Sequence, residues 1–377
     1  MEKTGRSENR RMLLFIYTIL HFLVDLSCIF FLMGMVYPQL AGSDVRIHAA
    51  IQYNMFAFAL PALLGLAADL TGRNAAVSCL GCLMILTSYL TVPGPWASVV
   101  LIGIGNGLFH IGGGRQVLMD SGCVALGGTA DPCGKERIGS TVRYAPSGVF
   151  IASGAMGVFL GKNMAQAFRQ IYYICMEAAL VLGVLLLLWM AVRQWKKSIR
   201  SMISAQAVSS KMLGLSLLIF LVVIIRSYYG FVAVYSWNHT FLTGLIFTGC
   251  IVAGKALGGF AADRFGVTAA SVISLGGAGV LALFAGSIPL AGYLSILLFN
   301  MTMPITLTLL TKLWEELPGF AFGVLMLALF LGTLPVMVWH VNWMASPVGA
   351  FGLCMISLGL LLVTVRWMEP KKMVSEG

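Results

Sequence analysis

The chain has 377 residues, 59% of them hydrophobic and only 10% charged, with a mean hydropathy of +0.91. About a quarter of the residues of a soluble domain are charged, so this composition excludes one and places the chain in lipid, where roughly 20 residues per span lets about twelve spans fit the length. The formal net charge of +10 is read as topology rather than as nucleic-acid binding, because the basic residues are scattered over many short loops.

Residues 1–11 are polar and carry Lys3, Arg6, Arg10 and Arg11, so the first apolar run, 12–37, enters the membrane from the cytoplasm. That run is too long for the apolar core of a signal peptide and has no small-residue cleavage site after it. It is predicted to stay as the first helix. Further apolar runs follow at 48–69, 75–92, 96–119, 144–161 and 171–192, with Pro93, Gly94 and Pro95 forming an outer turn. A basic segment, 193–211, holds Arg193, Lys196, Lys197, Arg200 and Lys211. Six more runs come after it, at 212–237, 240–262, 268–288, 291–313, 320–340 and 348–368. The expected organisation is an all-α membrane protein of twelve transmembrane helices in two pseudo-symmetric six-helix bundles, 1–192 and 212–377, joined by the linker 193–211. With both termini inside, 19 of the 24 Lys and Arg fall on the cytoplasmic side. Only Arg46, Lys162 and Arg169 fall outside, a bias that fixes the orientation. Of the eight cysteines, Cys79 and Cys82 lie in an apolar run and read as core packing, while Cys123 and Cys133 lie in a cytoplasmic loop where thiols stay reduced. No structural disulfide is expected.

The chain also repeats itself. Gly65, Asp69, Gly72 and Arg73 have a near copy in Gly259, Asp263, Arg264 and Gly266. The two aspartates lie 194 residues apart, an offset that also carries Asn106 onto Asn300. Each copy ends an apolar run in a tight cytoplasmic turn, and such duplication points to a fold built from two related halves. Asp69 and Asp263 suit a gating role: each carboxylate can cap a neighbouring helix amino terminus in one conformation and release it in another.

Ionisable groups in the hydrocarbon layer cost several kcal/mol and call for a reason. Asp25 lies 14 residues past Arg11, roughly 21 Å into the membrane at 1.5 Å per residue, with His21 one turn earlier on the same face. Arg226 lies at a comparable depth on the seventh helix. Asp25 and Arg226 either face each other across a central cavity or form a static ion pair that sets helix packing. In the fourth helix Asn106 and His110, one turn apart amid glycines, project a polar stripe. Asn300, followed by Thr302 and Pro304, supplies an interrupted polar helix at the matching place in the second half. Two such helices point to a binding site between the halves. Glu177 is expected near the outer end of its helix, and Lys255 is expected to snorkel to the cytoplasmic surface. There is no Gly-x-x-x-x-Gly-Lys-Ser/Thr phosphate loop, no His-Glu-x-x-His and no other dense metal-ligand cluster. Neither a cofactor nor a metal is therefore expected. An intramembrane enzyme using His110 and Asp25 as an acid/base pair is a further reading.

Taken together, Gly65-x-x-x-Asp69-x-x-Gly72-Arg73 and its weaker copy resemble the major facilitator superfamily of secondary transporters, over nearly the whole chain. Within it, four features are similar to the fosmidomycin-resistance efflux subfamily: His21-x-x-x-Asp25; Gly105-Asn106-x-x-Phe109-His110; Arg226-Ser227 followed by Gly230; and Gly259-x-x-Ala262-Asp263-Arg264-Phe265-Gly266. Ile111 stands where similar sequences have Pro, and Lys255 where they have a small or apolar residue. Gly65, Asp69, Gly72, Arg73, Gly259, Asp263, Arg264 and Gly266 form the gating motif, and because Val267-Thr268 lacks the basic pair that often follows, cytoplasmic gating is expected to rest mainly on Asp69 and Arg73. The resemblance implies a monomeric, proton-coupled antiporter in the cytoplasmic membrane, exporting a drug-like or metabolite anion by alternating access. His21, Asp25, Asn106, His110, Arg226 and Asn300 would then serve substrate binding or proton coupling. The same machinery run as a proton symporter for a nutrient is the alternative, and a membrane sensor is a third.

Overall fold

The structure, a computed structural model, describes residues 2–92, 94–122, 142–195 and 208–368. Backbone groups in lipid must be satisfied within their own segment, and every regular element among the described residues is helical. Twelve apolar helices follow one another: α1 (Glu8–Gln39), α2 (Ser43–Thr71), α3 (Asn74–Thr91), α4 (Pro95–Asp120), α5 (Ala145–Gln166), α6 (Gln170–Arg193), α7 (Ser210–Val232), α8 (Phe241–Phe265), α9 (Val267–Ala282), α10 (Pro289–Leu313), α11 (Pro318–Trp339) and α12 (Pro347–Met368). Eleven are long enough to cross a membrane, and α9 is shorter. The six described cysteines are free. Most of the linker, the loop with Cys123 and Cys133, Pro93 and the terminal Lys371 and Lys372 lie outside the described residues.

The expected spans hold with local adjustments that have chemical causes. The ninth was expected over 268–288, but the helix loosens into a wide turn at Val272–Gly276 and ends at Ala282. The freed carbonyl of Ala285 instead accepts a hydrogen bond from the Trp237 indole at 2.8 Å. α5 runs on to Gln166, past the expected end at 161, so the exposed Lys162 rides on its last turns. α10 breaks at Met301, because Pro304 has no N–H to donate to the carbonyl of Asn300 one turn earlier. α2 likewise widens at Met55–Ala59, just ahead of Pro61.

The packing repeats with a step of six helices. In the first half α1 packs on α5, and α3 on α4 and α6; in the second α7 packs on α11, and α9 on α10 and α12. The most extensive pairings between the halves are α2 with α11 and α5 with α8, and the same step converts one into the other. Both crossings use the repeat glycines. A Cβ on Gly65 would run into the backbone of Gly319, and one on Gly259 into that of Tyr144 and Ala145. Nothing larger than hydrogen fits where the two backbones touch. Gly65→Ala is therefore expected to cost about 1–3 kcal/mol through overpacking, whereas Gly249→Ala on α8, where a Cβ meets nothing within 4 Å, gains up to about 1 kcal/mol from helix propensity. Melting curves of the two purified variants check the opposite signs.

Candidate functional site

Between the halves lies a chamber of about 320 Å³, with Asp25, His21 and His110 on one wall and Arg226, Lys255 and Asn300 on the other. Five of the six sequence-predicted site residues line it, and the sixth, Asn106, is fully buried behind Asp25. Phe322 sits beneath the chamber on the side of the repeat turns, packed on Gly114, with its ring centroid 6.4 Å from that of Phe150.

Helix periodicity builds the acid wall. His21 and Asp25 are one turn apart on α1, Asn106 and His110 one turn apart on α4, and the two helices are packed together. Asp25 Oδ1 accepts a hydrogen bond from Asn106 Nδ2 at 3.0 Å. His21 Nε2 lies 3.2 Å from Asp25 Oδ2, and His110 Nε2 lies 3.7 Å from Oδ1. Gly154 on α5 lets this group close up, since a Cβ there would strike both Asp25 and His21. The far nitrogen of each ring fixes its tautomer. His21 Nδ1 lies 2.7 Å from the Phe150 carbonyl and His110 Nδ1 lies 2.9 Å from the Asn106 carbonyl. A carbonyl only accepts, so both Nδ1 atoms carry the hydrogen. With the hydrogen on Nδ1, each Nε2 is the atom that can take a further proton and donate it to an Asp25 oxygen, so a proton held among the three groups closes a hydrogen bond. The three donors lie within 4.8 Å of one another, a looser grouping than the roughly 3.4 Å that 2.0–2.1 Å bonds impose around a tetrahedral zinc.

The basic wall is unlike it. Arg226 is buried and its Nη1 has no hydrogen-bond partner. It faces the same chamber as Asp25 without an ion pair to it, so the static-pair reading does not describe this structure. Lys255 corrects a sequence expectation: it does not snorkel to the surface but lines the chamber. Its helix is held against α5 by the contact of Gly148 with the Lys255 carbonyl, which keeps this stretch of α8 facing inwards. Asn300 Nδ2 donates to the Ile296 carbonyl at 2.8 Å.

The repeat aspartates both cap helices of the opposite half. Asp69 accepts the backbone N–H groups of Gly319 at 2.9 Å and Phe320 at 2.8 Å, at the start of α11. Asp263 accepts those of Tyr144 at 2.7 Å and Ala145 at 3.0 Å, at the start of α5. A helix amino terminus has unpaired N–H groups and a partial positive charge, and neither α5 nor α11 has a side-chain cap of its own. Gly72 and Gly266, at φ 65° and 83°, make the turns that follow. The buried Arg115, which the sequence reading counted only towards topology, holds Asp69 through Nε at 2.6 Å and Asn74 through Nη1 at 2.5 Å. Arg73 is expected from the sequence to share the gating with Asp69, and Arg115 joins them here; the signal that could have found it is a guanidinium closing a run of three glycines inside an apolar helix. Arg264 is exposed.

No protein-family model and no curated protein matches the sequence. Solved structures do. The Escherichia coli fucose:proton symporter FucP is similar over 95% of this chain and 98% of its own, with a TM-score of 0.57 and 13% identity. The human organic anion transporter MFSD10 covers 93% and 99%, with 0.63 and 15%. The proton:xylose symporter XylE, in a double-tryptophan form, covers 97% of each chain, with 0.62 and 14%. The chain has the major facilitator fold. Within the major facilitator fold of this chain the two capped crossings are unequal, because Asp69 is buried with a guanidinium and Asp263 is exposed. Asp69→Asn, which strands Arg115, is expected to cost about 3–5 kcal/mol. Asp263→Asn is expected to cost about 1 kcal/mol, the worth of a cap. Thermal melts of both variants in the same detergent test the order.

Proposed function

We propose that this chain is a secondary active transporter that carries a small organic anion across the cytoplasmic membrane by alternating access, coupled to protons. The observation that carries the reading is the chamber between the halves, with an acid and two imidazoles on one wall and an unpartnered guanidinium on the other. The names of the structural neighbours lend support: two are proton symporters and one is an organic anion transporter.

In this reading Asp25 carries the coupling proton with His21 and His110 beside it, because a proton shared among the three closes a hydrogen bond between an imidazole and the carboxylate. Arg226 takes the anionic group of the solute with Asn300 as a polar contact beside it, while Asn106 acts from behind, holding the Asp25 carboxylate. The halves, 1–192 and 212–377, rock about the chamber as a monomer, with 193–211 joining them. The positive-inside bias puts both termini and the repeat turns in the cytoplasm, so the Asp69 and Asp263 caps close the cytoplasmic side. The resemblance of the motifs implies proton-driven efflux. Import by symport is the second reading, favoured by the coupling named for FucP and XylE.

The test begins with a thermal-shift screen of metabolites and antibiotics, in which a solute at about 100 times its Kd stabilises the fold by about 2.7 kcal/mol. For the solute found, reconstituted wild-type protein is expected to build a concentration gradient from an imposed pH gradient. Asp25→Asn is expected to lower that accumulation at least about tenfold, the effect of about 1.4 kcal/mol, while still exchanging labelled for unlabelled solute. Unchanged proton-driven accumulation in Asp25→Asn sinks the role of Asp25. In right-side-out and inside-out vesicles, uptake against the proton flow indicates efflux and uptake along it indicates symport.

A further inference from the structure

Among the described residues Asp25 is the only carboxylate lining the chamber, and two histidines and an asparagine already surround it. The opposite wall holds two cations. Among the described residues neither Arg226 nor Lys255 is in an ion pair within 4 Å, and Asp25 pairs with His21 and His110 instead. Arg226 Nη1 is buried without a partner. Around the two cations the lining is largely apolar, with Phe247, Ile251, Phe299 and Met303. The nearby Ser227 hydroxyl is spent on the Leu329 carbonyl at 2.6 Å. Two like charges in a chamber of low polarity repel and are poorly solvated, and a single anion relieves only half of that cost.

We propose that Arg226 and Lys255 together bind a solute carrying two negative charges, and that Lys255 sets the preference for two charges over one. This rests on the chamber being the transport site. The guanidinium offers a flat two-pronged contact to one anionic group, and the ammonium, a point charge on a flexible stem, reaches a second. Charge balance ties the solute to the proton. With a proton on the Asp25 group the wall groups sum to two positive charges, which a dianion neutralises. A monoanion gives neutrality only when the proton is absent. A doubly charged solute therefore favours the second reading above, symport, in which it crosses with a proton in the same direction.

The test measures apparent affinity by thermal shift on the full-length protein in detergent, using the dicarboxylates succinate and glutarate, the matched monocarboxylates butyrate and valerate, and inorganic phosphate. Wild type is expected to bind the dicarboxylates at least about tenfold more tightly than their monocarboxylate partners, a difference of about 1.4 kcal/mol. Lys255→Met is expected to erase that preference. Phosphate binding beside the dicarboxylates assigns the subsite to dianions in general, and its absence assigns it to paired carboxylates. Equal affinity for one and two charges, or a preference that survives in Lys255→Met, overturns the proposal. If that equal binding is lost in Arg226→Gln, the anion site proposed above still stands. If no anion shifts the melt, both fall.

Discussion

A carboxylate at the middle of a membrane must find its partners locally, and the manner in which Asp25 finds them governs the rest of this chamber. Its two oxygens are met by an amide and two imidazole nitrogens, all from its own half. The guanidinium and ammonium of the other half are thereby left to face the cavity. Had Arg226 closed directly on Asp25, the two halves would be locked by a buried ion pair and the cavity would have no unsatisfied charge to offer a solute. Separating the acid from the cations keeps the structure poised, at the cost of buried groups that want partners.

The closure on the side of the repeat turns follows from duplication. One interaction, an aspartate of one half on a helix start of the other, occurs twice because the unit that supplies both participants occurs twice. The glycines four residues before the aspartates make it possible by bringing the helices to backbone contact. The copies have diverged where the neighbours differ: Arg115 and Asn74 surround Asp69, whereas Asp263 remains at the surface.

Much of this was legible in the sequence. Composition and the spacing of apolar runs give the twelve helices, and the repeat of Asp69 and Asp263 gives the two bundles. The depth of Asp25 and Arg226 along their helices, counted from the basic residues that flank them, places both beside one cavity. What the sequence does not carry is the direction in which a side chain leaves its helix. Lys255 sits roughly midway between Phe241 and Phe265, and nothing in the apolar residues around it tells whether it faces lipid, surface or chamber. The rotation of α8 against α5 decides that, and it is a property of contacts between residues about a hundred positions apart. Arg115 was missed for a similar reason: its partner lies on another helix, and the nearer Arg73 fitted the motif. The tautomers of His21 and His110 depend on carbonyls of α5 and α4 and become readable only when those helices are in place.

The unequal surroundings of the two aspartates bear on how such a protein would open. When the halves part at this end, two helix starts lose their only acceptors and must find water. Water already reaches Asp263, so the α5 side can rehydrate at once, while the α2 side must first free Asp69 from a guanidinium packed in the dry interior. Opening would then proceed like a zipper pulled from one edge, with the Asp263 seam parting early and the Asp69 seam setting the pace.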